Sequence, residues 1–261
     1  MPFPDALKGN PKVIFFTDFD GTITTKDTND FMTDNHGFGL EQRRQGNMDT
    51  LNGEPFRDGF RKMLDSWTTS FPDTIEILKK NIKLDPHFAN FVSWAKSAGV
   101  PIIVLSSGMV PIISALLEHL LGPDFKDIEI IANGVQPKPP INDLTKPLGW
   151  EIVYHDDSGF GHDKSLTIRP YAKEIAKLPE AERPTTLYAG DGVSDLSAAK
   201  ETDLLFAKKG HDLITYCERE GIPFTVFEDW ESILQKTQDI YNGKTNVKKL
   251  AAEGKEEADK S

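Results

Sequence analysis

With 261 residues, 38% of them apolar, the chain can bury a substantial core. Its 41 acidic against 30 basic residues leave a net charge of -11, which opposes broad binding to nucleic acid or anionic lipid. No stretch approaches the roughly 18 consecutive apolar residues of a membrane span, MPFPDALKGNPK lacks the features of a signal peptide, and Cys217 has no second cysteine to pair with, so a cytoplasmic location is expected.

The first element is VIFFTDFDGTIT, Val13 to Thr24, a β-branched and aromatic run that ends by placing Asp18 and Asp20 at its tip. Carboxylates at the end of a buried strand need a cation, a shared proton or solvent to offset their charge. A calcium loop of the EF-hand type does not fit. It requires Gly at its sixth position and Glu at its twelfth, where this chain has Ile23 and Asn29. A Mg²⁺ site does fit, because that ion is commonly held by one or two carboxylates together with a substrate phosphate.

From about residue 27 to 95 the pattern is helical. Phe56, Phe60, Met63, Leu64 and Trp67 form the stripe of a half-buried helix, and two further helices are expected over Pro72 to Ile82 and His87 to Ala98. This stretch exceeds a single crossover and reads as a cap seated above the strand ends. A second buried strand, VPIIVLSSG, ends at Ser106, Ser107 and Gly108 before a helix, a setting in which backbone amides and a hydroxyl can hold an anion.

DIEIIANGV and WEIVYHDD, separated by a Pro-rich link, predict a hairpin. Lys164 then precedes a helical segment, with His162 two residues before it. A third strand, TTLYAGDG, leads into GDGVSD, where glycines permit a tight turn between Asp191 and Asp195. Alternation of strands and helices predicts an α/β fold with a Rossmann-like parallel sheet, its ligands gathered beyond the strand carboxyl ends. The expected division is a core of 11–26 and 96–241, a helical cap of 27–95, and a frayed or disordered tail of 242–261.

The ordered set FTDFDGT, SSGMVPII, FGHDKS and GDGVSDLSAAKETDLLFAK resembles the haloacid dehalogenase-like phosphatases. Within them it is similar to the phosphoserine phosphatase branch and to fungal phosphatases of sugar alcohol phosphates. The resemblance implies a Mg²⁺-dependent phosphomonoesterase that hydrolyses small phosphorylated metabolites, such as ribitol or sorbitol phosphate, through an aspartyl phosphate. It implies Asp18 as nucleophile, Asp20 as general acid and base, and Mg²⁺ held by Asp18, the main-chain carbonyl of Asp20, and Asp191. Thr22, Ser106, Ser107 and Lys164 would hold the phosphate, and Asp195 would orient Lys164 or a metal-bound water.

Asp27 and Arg61, with Arg57 competing for the inward position, match substrate-reading positions of the phosphoserine branch. Asp27 replaces a Glu there, and Ser107 replaces a Gly. A phosphoserine-like or sugar phosphate phosphatase, a phosphomutase and a non-catalytic sensor are the alternatives. The oligomeric state is not legible in the sequence.

Overall fold

The computed structural model describes residues 4–211 and 213–258. Seven strands, β1 (Val13–Thr17), β2 (Ile102–Met109), β3 (Ile128–Pro137), β4 (Trp150–Val153), β5 (Thr185–Gly190), β6 (Leu204–Lys208) and β7 (Phe224–Phe227), form one sheet in the order β4-β3-β2-β1-β5-β6-β7. All neighbours are parallel except β3 and β4, which form the expected antiparallel hairpin. Among the described residues, eleven α-helices accompany them: α1 (Thr28–His36), α2 (Leu40–Leu51), α3 (Phe56–Asp65), α4 (Phe71–Asn81), α5 (Phe88–Ala98), α6 (Val110–Leu121), α7 (Lys164–Ile175), α8 (Leu196–Ala199), α9 (Leu213–Glu220), α10 (Trp230–Tyr241) and α11 (Val247–Ala258).

Strand β1 is buried along its whole length because both faces of the sheet are covered. Successive side chains point to opposite faces, so Val13 and Phe15 enter one core while Ile14 and Phe16 enter the other. Phe15 packs edge-on to Phe91 at 4.7 Å and lies 5.7 Å from Trp230, while Phe16 meets Tyr171 edge-on at 5.2 Å. The two cores fix the direction of β1 from both sides. Its tip therefore has a defined position.

Helices α1 to α4 leave the core after Thr24 and return at Leu84, where these two residues form a bridge and the Asp85 amide donates to Ile23 O at 2.8 Å. Helix α1 starts where Asp27 accepts the amides of Asn29 and Asp30, and α4 starts at Ser70, which accepts the amide of Asp73.

Three expectations need correction. Helix α5, assigned above to the cap, packs against the sheet through Phe88, Phe91, Val92 and Ala95, all buried. An apolar stripe tells that a helix is half-buried but not which layer it faces. The segment 242–261 contains α11, a helix laid on β7, rather than a frayed tail, and residues 259–261 lie outside the described residues. Leu250 is buried, and a Cβ on Gly254 would come within 2.3 Å of the Phe224 carbonyl. The glycine that weakens the helical pattern in the sequence is what allows its close approach to the strand. Trp67 also falls outside α3, which ends at Asp65, and its indole N–H donates to Thr33 Oγ1 at 2.9 Å.

Candidate active site

The carboxyl ends of β1, β2 and β5 lie side by side at the middle of the sheet, where β1 has β2 on one side and β5 on the other. Beyond them stand Asp18 and Asp20 from β1, Ser106 to Gly108 from β2, and Asp191 and Asp195 after β5. Helix α7 adds Lys164 as its first residue, with Asp163 capping the turn by accepting the Ser165 amide at 3.0 Å. The four motifs, far apart in sequence, meet in one place.

Lys164 is the hinge of the cluster. Its ammonium donates to Asp18 Oδ1 at 2.8 Å, to Asp195 Oδ1 at 2.6 Å and to Tyr188 Oη at 3.0 Å. Burial alone would lower its pKa, but the Asp18 and Asp195 charges outweigh that effect and hold it above the usual lysine range. Lys164 is therefore cationic at any working pH.

Asp195 accepts four hydrogen bonds: from Lys164, from the Tyr188 hydroxyl at 2.6 Å, and from the amides of Asp191 and Gly192 at 3.0 Å each. Four donors use the lone pairs a carboxylate offers. Although oxygens of Asp18, Asp191 and Asp195 lie within 4.8 Å of one another, those of Asp195 are already engaged by these four donors. Its approach to the strand leaves no room for a side chain at Gly190, where a Cβ would lie 2.5 Å from its carboxyl.

Asp18 and Asp191 are placed differently. Burial pushes Asp18 up to about 7, with Lys164 opposing the shift and Asp195 adding to it. Burial, followed by the Asp18 and Asp195 charges, pushes Asp191 up to about 8. Such a pair, with Asp18 buried, Asp191 half-buried and the two repelling each other, would be relieved by a divalent cation, and its hard oxygen donors suit Mg²⁺. Asp191 comes so close to the turn after Asp20 that a Cβ on Gly21 would meet its carboxylate at 2.2 Å, and Gly21 also holds φ +75°. Glycine satisfies both constraints.

The Asp20 carboxyl turns away from this pair toward the cap. Oδ1 accepts the Thr28 amide at 2.7 Å and Oδ2 accepts the Asn29 side-chain amide at 3.1 Å. Burial, and after it the charge of Asp27, holds its pKa well above the usual carboxylate range. The shift favours the protonated form of this carboxyl, two residues from Asp18.

The remaining predicted residues are sorted by the structure. Thr22 Oγ1 lies 3.4 Å from Asp191 Oδ1, while its carbonyl accepts the Trp230 indole N–H at 2.8 Å. Ser106 Oγ accepts the Gly108 amide at 2.9 Å, and Ser107 Oγ is a buried hydroxyl with no partner among the described residues. Asp27 is engaged by α1 as its cap, and burial, then the charge of Asp30, raises its pKa to about 7.

The contacts of Arg57 and Arg61 run to the β3–β4 hairpin. Their guanidinium carbons lie 4.7 and 5.2 Å from the centre of the Tyr154 ring, Arg57 donates to Ser158 O at 3.2 Å, and Arg61 lies 3.3 Å from Glu151. The Tyr154 hydroxyl donates to the Arg57 carbonyl.

Sequence reasoning missed Tyr188, Asn29 and Asn133, and discounted His162. Tyr188 and Asn133 read as strand residues, and only the polar tip of a tyrosine beside GDG could have drawn attention. Asn29 offered no signal apart from its nearness to Asp20. His162 is buried, and burial holds it down at about 4, a neutral ring.

The sequence profile of the haloacid dehalogenase-like hydrolases matches residues 15–200. The chain is 45% identical over 245 residues to the polyol phosphate phosphatase PYP1 of Saccharomyces cerevisiae, covering 92% of this chain and 98% of the other. It is 53% identical over 228 residues to the Pdp3-interacting factor 1 of Schizosaccharomyces pombe, covering 87% and 95%. Among solved structures, a phospho-aspartyl intermediate analogue of phosphoserine phosphatase is similar with a TM-score of 0.60 at 20% identity, covering 87% of this chain and 98% of that one. This last likeness carries the fold.

Proposed function

Starting from the family to which this chain belongs, the haloacid dehalogenase-like hydrolases, we propose that it hydrolyses the phosphate esters of small polyols in the cytoplasm, with Mg²⁺ as its cofactor. It is a phosphoric monoester hydrolase. The polyol reading is supported by 45% identity along nearly the whole of a polyol phosphate phosphatase. The observation that carries the chemistry is the geometry at the tip of β1, where Lys164 donates to Asp18 at 2.8 Å and the Asp20 carboxyl, two residues on, accepts the Thr28 amide and the Asn29 side-chain amide.

In this reading Asp18 attacks phosphorus in line with the ester oxygen, and the P–O bond to the substrate breaks as Asp20 gives its proton to the leaving alkoxide. Water then attacks the aspartyl phosphate while Asp20, now charged, takes the proton of that water. Inorganic phosphate leaves and both aspartates return to their starting states. Lys164 keeps one Asp18 oxygen fixed, and it faces the negative charge of the phosphoryl group. Asp18, Asp191 and the Asp20 carbonyl would hold Mg²⁺, which supplies positive charge against the phosphoryl oxygens. Ser106 and neighbouring amides would bind those oxygens.

The test is release of inorganic phosphate from ribitol and sorbitol phosphates, sugar phosphates and phosphoserine, with Mg²⁺ or with a chelator. Fast release from the polyol phosphates, lost on chelation, is expected. Transfer of labelled phosphate to a second hydroxyl in place of release would point to a mutase, and preference for phosphoserine would overturn the polyol assignment.

A further inference from the structure

From Leu105 to Met109, β2 advances four residues while its partner advances two, from Ile131 to Asn133, so Ser106, Ser107 and Gly108 bulge out of the ladder. Backbone carbonyls displaced in this way need other donors when they are buried. Two side chains supply them. His162 Nδ1 lies 2.8 Å from the Ser106 carbonyl, and Asn133 Nδ2 donates to the Ser107 carbonyl at 2.6 Å.

Neither side chain is a surface group, with exposures of 2% for His162 and 0% for Asn133. A carbonyl only accepts, so Nδ1 of His162 carries the proton and Nε2 accepts from the Thr167 hydroxyl, 3.1 Å away. Asn133 Oδ1 accepts the His155 amide at 2.8 Å, and the His155 ring lies 4.5 Å from that of His162. The two anchors thus support each other. Thr167 lies one turn beyond Lys164 on α7, so one helix start sets both the lysine and the bulge.

The carbonyl and the N–H of one trans peptide point in opposite directions. Holding the Ser106 carbonyl outward therefore turns the Ser107 amide inward, and holding the Ser107 carbonyl does the same for Gly108. The inner side is the reactive side: Gly108 donates to Ser106 Oγ, and a Cβ built on it would lie 3.3 Å from Asp20 Oδ2. We propose that His162 and Asn133 are positioning residues for phosphate: by fixing the carbonyls behind them, the first aims the Ser107 amide into the site and the second sets the Gly108 amide on Ser106 Oγ, which orients that hydroxyl. The inference rests on the phosphatase reading for its ligand.

The experiment compares His162→Asn, which keeps an N–H near the Nδ1 position, with His162→Gln, which places its amide near Nε2. Binding of inorganic phosphate in the presence of Mg²⁺ is measured calorimetrically, beside hydrolysis of an aryl phosphate and thermal unfolding. His162→Asn should recover most of the affinity. His162→Gln should weaken phosphate and lower kcat/KM by a common factor of about ten, with an unfolding temperature close to that of His162→Asn. Equal phosphate affinity in the two variants would overturn the proposal.

If His162→Gln does not fold, Asn133→Ala decides in its place, and wild-type affinity there would be equally fatal. A wild-type protein that binds phosphate but releases none from esters refutes the phosphatase reading, while the binding comparison still decides this one. Failure of the wild type to bind phosphate at all would overturn both.

Discussion

Lys164 and Arg61 both lie near a tyrosine ring, Tyr188 at 5.8 Å and Tyr154 at 5.2 Å. The first is 1% exposed and donates to three oxygens, whereas the second is 39% exposed and faces one carboxylate at 3.3 Å. Removing a partner from the first leaves a charge stranded in the interior, while removing one from the second lets water take its place. The sheet edge thus holds its charges in one arrangement, and the contact between cap and hairpin can rearrange at little cost. In the proposed reading, chemistry belongs to the first region and choice of leaving group to the second.

The sharpest way to break this comparison is at the nucleophile. Asp18→Asn keeps the shape of the side chain but removes the charge that attacks phosphorus, so turnover of an aryl phosphate should fall by about 10⁴-fold or more. Rates near wild type would remove Asp18 from its role. Lys164→Met comes next, because it leaves Asp18 and Asp195 facing each other without a counter-charge. A loss of about 3–5 kcal/mol in unfolding free energy is expected from breaking a buried pair, together with a large fall in kcat. Denaturant unfolding measures the first and steady-state kinetics the second. Replacing Arg61 with Ala, in contrast, should change stability by only about 0–1 kcal/mol.

Proton binding offers a gentler perturbation of the same region. In the folded chain Asp18 and Asp191 titrate near 7 and 8, raised from an ordinary value of 3.8, mainly by burial. The folded state therefore keeps protons that the unfolded state has already lost. The stability these groups contribute is full below their unfolded pKa and disappears as pH rises through 7 and 8. In chelator, the unfolding temperature should fall from about pH 4 to about pH 8 and level off above that, and the gain on adding Mg²⁺ should grow toward the upper end of this range as the cation replaces the protons. A Mg²⁺ stabilisation that is flat with pH would separate the ion from these two carboxylates.

Much of the first region was legible in the sequence because its residues lie on short motifs at strand ends. The pairing of DFDG, SSG and GDGVSD requires only that parallel strands end at one edge, and DKS joins them from the start of α7. The partners supplied from within strands were hidden. Tyr188 and Asn133 occupy positions that alternation assigns to packing, and no spacing reveals that their polar tips complete Asp195 or the Ser107 carbonyl. The second region was less legible still. The stripe on α3 announced a buried face, but whether Arg57 and Arg61 turn to a ligand or to Tyr154 depends on where the hairpin lands, and that is a tertiary fact. The boundary of the cap and the docking of α11 were obscured for the same reason.

Tyr154 gives the smallest and most specific test of the contrast. Its ring lies beneath both guanidinium groups, and burial, opposed by Arg61 and Arg57, pushes its phenol up to about 12, so it is neutral and donates to the Arg57 carbonyl. Tyr154→Phe removes only that hydrogen bond and should leave kcat/KM within about twofold. Tyr154→Ala removes the ring, with cation–π contacts worth about 0.5–1 kcal/mol each at half-exposed sites, and frees two arginines to find other anions. Activity on an uncharged aryl leaving group should barely change, because the sheet edge is untouched. The ratio of phosphoserine to polyol phosphate turnover should rise about threefold, since a substrate carboxylate would gain a cation that Tyr154 now occupies. If that ratio stayed fixed while the aryl phosphate rate collapsed, the hairpin contact would be part of the rigid machinery after all, and the division between the two regions would be drawn in the wrong place.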